Sequence, residues 1–199
     1  MAKSNMYYED NRDLAHDFKT LKFELLGMTM QFKTDAGVFS KSSIDYGSRT
    51  LLEAFRPVGE SLLDVGCGYG TLGLTLTKKY GLVSTLSDVN PRALELAKEN
   101  AALNHSDVNI LISSVYEEIA GSFDNIVTNP PIRAGKEIVH SILEGAYDHL
   151  NSGGQILAVL QKKQGAPSAQ KKMAEVFRNC EIVRKDKGYY ILKSIKTKG

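Results

Sequence analysis

Apolar and polar positions alternate along LKFELLGMTMQF (residues 21–32), on either side of Gly27. A two-residue period broken by a glycine predicts a β-hairpin. It puts Leu21, Phe23 and Leu25 on one face, with Met28, Met30 and Phe32 facing likewise across the turn. TDAGVFSKSSIDYG (34–47) is polar and glycine-containing, with one buried-type pair, Val38–Phe39. SRTLLEAF (48–55) has helical spacing with a serine at its entry.

From Ser61 the rhythm changes. SLLDV (61–65), LVSTLSD (82–88), VNILISS (108–114), SFDNIVTN (122–129) and QILAVLQ (155–161) read as strands. Between them, helices are expected over 71–81, 90–104, 137–150 (closed by SGG) and 168–180. Asn90 and Pro91 stand at the N-cap and first helical positions of the second of these, where backbone N–H groups lack helical acceptors. EIVRKD and YYILKSI, joined at Lys187–Gly188, form a closing hairpin. Alternation of strand and helix implies parallel strands with crossover helices on both faces. The hairpin adds one antiparallel strand. Such sheets bind ligands beyond the carboxyl ends of their strands, and every candidate site below falls at such an end.

Composition narrows the class. At 199 residues the chain has room for one well-buried core. No apolar run is long enough to span a bilayer, and the polar start MAKSNMYYEDNRD lacks a secretory pattern. Cys67 and Cys180 have no paired spacing, so a reducing cytoplasm is expected, with neither disulfide nor metal. Residues 160–199 hold 11 Lys and Arg against 3 Asp and Glu, whereas residues 1–159 hold 14 against 20. A basic region on an acidic domain fits a polyanionic partner such as RNA, or a solvated lysine-rich surface.

The glycine-rich DVGCGYG (64–70) follows the first parallel strand. Its glycines let the backbone approach a ligand without a Cβ clash. A dinucleotide fingerprint reads G-x-G-x-x-G; Gly66 and Gly68 fit it, but Thr71 holds the last position. Asp64 at the loop mouth repels phosphate and attracts an ammonium or sulfonium. Asp88 ends the second strand, 22 residues after Gly66. A carboxylate there accepts the hydroxyls of a ribose, or caps the helix beginning near Pro91. A ligand with a ribose, a cationic end and no phosphate is S-adenosylmethionine.

Asn129 ends the fourth strand, and Pro130 and Pro131 stiffen the chain after it. Asn-Pro-Pro is also a common turn signal; its place behind the glycine loop and Asp88 points to chemistry. A conjugated NH₂ is a poor nucleophile because its lone pair is delocalised. The Asn129 side-chain oxygen and the Pro130 carbonyl can each accept one of its N–H groups, aiming the lone pair at a methyl group. Positioning and pre-placed dipoles then supply most of the rate. Arg133 and Lys136 flank this loop as phosphate contacts or as solvated charges. His16, His105, His140 and His149 are scattered, with no nucleophile beside them, and Cys67 reads as a small packed side chain.

These motifs carry a resemblance. DVGCGYG resembles the glycine motif of class I methyltransferases, and Asp88 their second-strand acid. Ser113 and Ser114 stand where that superfamily often has an aspartate near the adenine amino group. Asn129-Pro-Pro resembles the Asn/Asp-Pro-Pro-aromatic motif of enzymes that methylate planar amines. FKTDAGVFSKSSIDYGSRTLLE (32–53), SDVNPRALELA and NPPIRAGK resemble the small-domain methyltransferases, which include the bacterial 16S ribosomal RNA guanine-N2 methyltransferases, over roughly residues 20–195.

The resemblance implies a Rossmann-like α/β fold: a mostly parallel seven-strand sheet with one antiparallel strand, helices on both faces and a preceding N-terminal β-hairpin. It implies one methyltransferase domain over 1–199, with 1–55 as hairpin and cofactor-covering segment and 56–199 as catalytic core. It places Gly37–Ser40 over the methionine end of S-adenosylmethionine. Cofactor contacts fall on Phe39, Ser40, Asp64, Gly66, Cys67, Gly68, Asp88, Val89, Ser114, Val115 and Asn129. Catalysis falls on Asn129 and Pro130, and substrate contacts on Pro131, Ile132, Arg133 and Lys136. Ile132 departs from the aromatic position and offers an apolar wall without π-stacking; Phe39 and Tyr46 are candidates for the missing ring. The partner implied is ribosomal RNA or the small ribosomal subunit, away from membranes. The two-domain members carry an additional N-terminal half, for which no counterpart is expected here.

Three other readings compete with a ribosomal RNA guanine methyltransferase. A protein-glutamine or DNA-adenine methyltransferase shares the motif, but the basic region favours nucleic acid. The missing aromatic disfavours an enzyme that holds a flipped adenine by stacking. A non-catalytic RNA-binding factor has no need of Asn129, Asp64 and Asp88. A nicotinamide dehydrogenase needs a loop that tolerates pyrophosphate.

Overall fold

The computed structural model describes residues 18–35 and 43–197. Phe39, Ser40 and the rest of the Gly37–Ser40 segment lie outside the described residues, as does His16. Strands β1 (Lys19–Leu25) and β2 (Met28–Thr34) form the expected hairpin. Leu21 pairs with Phe32, Phe23 with Met30 and Leu25 with Met28, so the apolar alternation lands on one face. Leu26 and Gly27 have φ of 51° and 76°, the left-handed conformations that let a two-residue turn follow the strand twist.

The main sheet contains β3 (Ser61–Val65), β4 (Val83–Asp88), β5 (Val108–Ile112), β6 (Phe123–Thr128), β7 (Leu150–Gln161), β8 (Glu181–Asp186) and β9 (Tyr189–Ile195). Their spatial order is β5-β4-β3-β6-β7-β9-β8. β9 runs antiparallel to both of its neighbours, and the remaining pairs are parallel. The strand order changes direction at β3, where the chain leaves towards β4 and later returns as β6. A crevice at the carboxyl ends of β3 and β6 follows from that topology.

Helices α1 (Tyr46–Ala54), α2 (Thr71–Tyr80) and α3 (Pro91–Leu103) lie on one side of the sheet. Helices α4 (Lys136–Gly145) and α5 (Ala166–Phe177) lie on the other. Successive residues of one strand feed opposite cores: Leu62, Val127 and Leu157 join Leu51, Leu74 and Phe32, while Leu63, Ile126 and Ile156 join Ile142, Leu143 and Phe177. Burial on both faces explains why these strands read as continuous apolar runs.

The hairpin is fastened by α3. Asn104 accepts from the Gln31 amide at 3.0 Å and donates to the Gln31 carbonyl at 2.7 Å. Asn100, one helical turn earlier, does the same to Lys33, at 2.6 and 3.0 Å. Two side-chain amides thereby satisfy the backbone edge of β2 as a neighbouring strand would. Asn100 also donates to the Tyr69 carbonyl in the glycine loop at 2.9 Å. Beside this contact, the buried Asp35 accepts from Arg92 at 2.8 Å.

Several boundaries differ from the sequence reading. α1 begins at Tyr46, because Asp45 rather than Ser48 caps it, accepting from the Ser48 amide at 2.9 Å. The helix expected over 137–150 stops at Gly145. β7 then starts at Leu150, five residues before Gln155. Its Ser152–Gly153–Gly154 stretch lies inside the strand, where Gly153 and Gly154 exchange hydrogen bonds with Lys196. α5 starts at Ala166 with Pro167 in its first turn. Among the described residues, no helix is long and apolar enough to cross a membrane.

Candidate active site

A cavity of about 330 Å³ opens at the carboxyl ends of β3, β4 and β6. Parallel pairing puts Asp64 beside Val127, and Thr128 donates to the Val65 carbonyl at 2.8 Å. The glycine loop after β3 and the Asn-Pro-Pro loop after β6 are thereby held on either side of one space. Asp64, Gly66, Cys67, Gly68, Asp88, Val89, Ser114, Val115, Asn129, Pro130 and Pro131 all line it.

The glycine loop is folded inwards. The Gly66 and Cys67 amides donate to the Ser87 carbonyl, each at 2.9 Å, and the Gly68 amide donates to Asp88 Oδ2 at 2.8 Å. These three N–H groups are therefore committed within the fold and do not point at the cavity as phosphate donors. Gly66 and Gly68 both have positive φ, 72° and 56°, which L side chains adopt only with strain.

Asp64 is 1% exposed. Its Oδ2 accepts from the Gly73 amide in the first turn of α2 at 2.7 Å. Its Oδ1 is buried and has no hydrogen-bond partner among the described residues. Burial pushes this carboxyl up to about 7, opposed by the Gly73 amide and reinforced by the Asp88 charge. An orphaned carboxylate oxygen facing a cavity needs a donor, and a cation supplies one most effectively. Gly73 is required here, since a Cβ would come within 2.8 Å of Leu86 and 3.0 Å of Asp64 Oδ2.

Asp88 accepts from Gly68 and, through Oδ1, from the Asn90 amide at 2.9 Å. Burial raises its pKa, moderated by these backbone donors. It does not cap α3; Asn90 does, as expected, accepting from the Arg92 and Ala93 amides. Asp88 is instead positioned at the cavity rim by two backbone amides, next to the exposed Val89. Ser114 lies exposed on the same rim. Ser113 is buried and accepts from the Glu118 amide at 3.2 Å. Val115 has φ 52°, a rare conformation for a β-branched residue, stored at the cavity wall.

Asn129 lines the other side of the cavity, directly after β6. Its Nδ2 donates to Asp45 Oδ2 at 3.0 Å and to Ser48 Oγ at 3.0 Å. An acidic acceptor settles which end of the amide carries the nitrogen. Both amide hydrogens are used, and Oδ1 accepts no hydrogen bond among the described residues. Asp45 and Ser48 also line the cavity; they belong to one DxGS motif, to which local pattern assigns no role. Gly47 between them is packed tightly, since a Cβ would meet the Tyr189 ring at 2.8 Å and Asp45 Oδ2 at 2.9 Å.

Residues flanking this loop fall differently. Ile132 opens a single 3₁₀ turn, Ile132–Ala134, and is half-buried against the core on the α4 side, outside the cavity lining. The apolar wall is supplied instead by Ala134, Ile138 and Ile142. Ile138 is 39% exposed at the mouth. Its exposure depends on the packed structure and is not legible in the local pattern at the start of α4. Arg133 and Lys136 are exposed beside the mouth and line none of it. Tyr46 is also absent from the lining. Its ring packs against Tyr189, at 5.8 Å between centroids, and its hydroxyl donates to Asp186 at 2.9 Å. Cys67 is buried, with its thiol pushed up by burial and by the Asp88 and Asp64 charges, so its thiolate is disfavoured.

A doubly wound sheet with this strand order, a glycine loop, a rim acid and an amide after the fourth parallel strand define the scaffold of a class I methyltransferase. The chain belongs to the family described as "Methyltransferase small domain", which matches residues 29–193. It is 43% identical over 199 residues to the uncharacterized protein YbxB of Bacillus subtilis (strain 168), covering 97% of this chain and 99% of that protein. It is 33% identical over 183 residues to ribosomal RNA small subunit methyltransferase C of Enterobacter sp. (strain 638), covering 89% of this chain and 52% of that protein. In structure it resembles the 16S rRNA N2 methyltransferase RsmC of T. thermophilus, solved in complex with AdoMet and guanosine. The TM-score is 0.84 at 24% identity, over 94% of this chain and 53% of that chain. The chain spans about half the length of these two ribosomal RNA methyltransferases. Class I methyltransferases draw their methyl group from S-adenosylmethionine, and the residues here fit that cofactor: a buried carboxylate with one oxygen unpaired among the described residues, and a second acid at the cavity rim.

Proposed function

We propose that this chain is an S-adenosylmethionine-dependent N-methyltransferase that modifies the exocyclic amino group of a guanine in ribosomal RNA. The reading rests above all on Asn129, whose side-chain nitrogen is tied to Asp45 and Ser48 while its oxygen has no partner among the described residues. That oxygen is an acceptor held in place before any substrate arrives. Together with the Pro130 carbonyl it can bind both hydrogens of a planar NH₂ and turn the nitrogen lone pair out of conjugation.

When bound, S-adenosylmethionine supplies an electrophilic methyl group on a sulfonium. Asp64 would hold the ammonium of its methionine end, and Asp88 the ribose hydroxyls. Ser114 and Val115 would border the adenine, and residues 1–55 would form the hairpin and cover ahead of a catalytic core over 56–199. Ala134 and Ile138 would form an aliphatic wall for the target base. No strong base is needed, because the amine proton becomes acidic once the nitrogen carries a fourth substituent. Guanine in ribosomal RNA is favoured by the names of the relatives and by the basic region after residue 160.

Incubation with donor labelled in the methyl group, together with ribosomal subunits from cells lacking this protein, tests the reading. Label in ribosomal RNA that digests to N2-methylguanosine is expected. Label in ribosomal protein, or in another nucleoside, overturns the substrate assignment.

A further inference from the structure

Among the basic residues of 160–197, Arg178, Lys193 and Lys196 make no ion pair among the described residues, and four further unpaired lysines share one surface once the chain is folded. Lys171 and Lys172 on α5 pair with Glu175 and Glu144, at 4.0 and 3.4 Å. Arg184 pairs with Glu53 at 2.8 Å. Lys162, Lys163, Lys185 and Lys187 are all exposed and make no ion pair among the described residues. These four gather at one end of the sheet. Lys162 and Lys163 leave the carboxyl end of β7, where Gln161 pairs with Tyr189. Lys185 and Lys187 surround the β8–β9 turn, and the Lys162 amide donates to the Gly188 carbonyl of that turn at 2.8 Å. The two segments therefore form one surface.

That surface is joined to the reaction side through short contacts. The Lys187 ammonium sits 4.5 Å from the centre of the Tyr46 ring, and Lys185 4.9 Å from that of Tyr190. Tyr46 packs on Tyr189, whose hydroxyl accepts from Gln161 at 2.7 Å. Tyr46 follows Asp45, the residue that orients Asn129. The nearby Asp186 is occupied by Tyr46 and lies 3.6 Å from Arg184. Cations stacked on aromatic rings are held in place without being neutralised.

We infer that Lys162, Lys163, Lys185 and Lys187 form the docking surface for the RNA phosphate backbone, which delivers the target base to Asn129 from the β7 and β8–β9 side. The inference rests on the reading of this chain as an RNA methyltransferase. The cations of α5 contribute less, because Glu175 and Glu144 beside them repel a phosphate. A run of RNA phosphates matches four lysines that have no ion pair among the described residues, and neutralising them releases the counterions condensed on the RNA.

The test is the salt dependence of binding between the full chain and a 16S ribosomal RNA transcript. The triple variant K162Q/K163Q/K187Q is expected to lower the slope of log affinity against log salt by about two to three, at roughly 0.7 to 0.9 for each phosphate no longer neutralised. The control K171Q/K172Q is expected to leave it unchanged, and S-adenosylmethionine affinity should stay the same in both. K162Q/K163Q, which leaves the β8–β9 turn intact, should lower the slope by about two thirds as much. An unchanged slope in the triple variant, with wild-type methylation of RNA intact, overturns the docking surface and leaves the activity standing. Wild-type transfer of label to protein in place of RNA overturns both.

Discussion

Asn129 Nδ2 lies 3.0 Å from Asp45 Oδ2, and the same carboxylate oxygen caps α1 through the Ser48 amide. One acid thus couples the start of a helix to the orientation of an amide that follows β6. The Asn129→Ala variant is expected to lose methyl transfer by about 10²- to 10³-fold, the effect of deleting one pre-placed polar group. Its S-adenosylmethionine affinity should remain within a few-fold of wild type, as measured by calorimetry.

Asp45→Ala removes both the cap and the orienting acceptor. Stability should fall by about 1 kcal/mol, and transfer by about a hundredfold. Asp45→Asn keeps an oxygen at both contacts and should retain most of each. Steady-state assays and thermal unfolding of the two variants separate the roles; a fully active Asp45→Ala would remove orientation from the account.

Asp64 is expected to make cofactor binding depend on pH. Its carboxyl is raised to about 7 in the ligand-free protein, above its unfolded value. Protonated Asp64 therefore favours the folded state at low pH, and that stabilisation is lost as pH rises from about 4 to 7. A cationic ligand needs the ionised form, so affinity should drop about tenfold for each pH unit below 7. Asp64→Asn should bind S-adenosylmethionine about a hundredfold more weakly, as expected when one member of a buried charged contact is removed. The same variant should unfold at a higher temperature than wild type at pH 8 without ligand. A lower Tm there would contradict the assigned burial effect.

Gly47→Ala tests how tightly the DxGS turn is packed. Its Cβ would lie 2.8 Å from Tyr189 and 2.9 Å from Asp45 Oδ2. Overpacking of this kind costs about 1–3 kcal/mol, and displacement of Asp45 should lower transfer as well. Adding Tyr189→Leu should restore part of the stability, read from denaturant midpoints.

Asn100→Ala deletes the acceptor of the Lys33 amide and the donor to the Lys33 and Tyr69 carbonyls. Leaving such groups unpaired costs about 1–3 kcal/mol each where they are buried. Hydrogen exchange should accelerate at Lys33 and Gln31, with the β3–β6 core unaffected. Equal acceleration everywhere would mean that the hairpin does not open separately.

Local patterns made much of this protein readable. Period-two alternation around Gly27, the apolar runs from Leu62 onwards and Asn90-Pro91 all express short-range sterics and burial. So do Gly66, Gly68 and Asp88, because a loop between a parallel strand and its helix has few ways to turn. The helix after Asn129 was harder to delimit. Residues 146–150 remain apolar enough to extend a helical pattern, yet 146–149 form a turn, and Leu150 pairs with Phe123 as the first residue of β7. Strand pairing is a contact between distant segments and leaves no local period.

What the sequence determined by itself was the order of elements, the glycine loop and the acids and amide at strand ends, since each answers to backbone geometry within a few residues. Which atom of Asn129 faces outward was decided only in three dimensions, by Asp45, 84 positions away along the chain. The same holds for the inward turn of Ile132, for Ile138 at the cavity mouth and for the gathering of four unpaired lysines beside the β8–β9 turn. Side-chain direction and charge compensation depend on neighbours that chain proximity does not supply, and only the packed sheet brings them together.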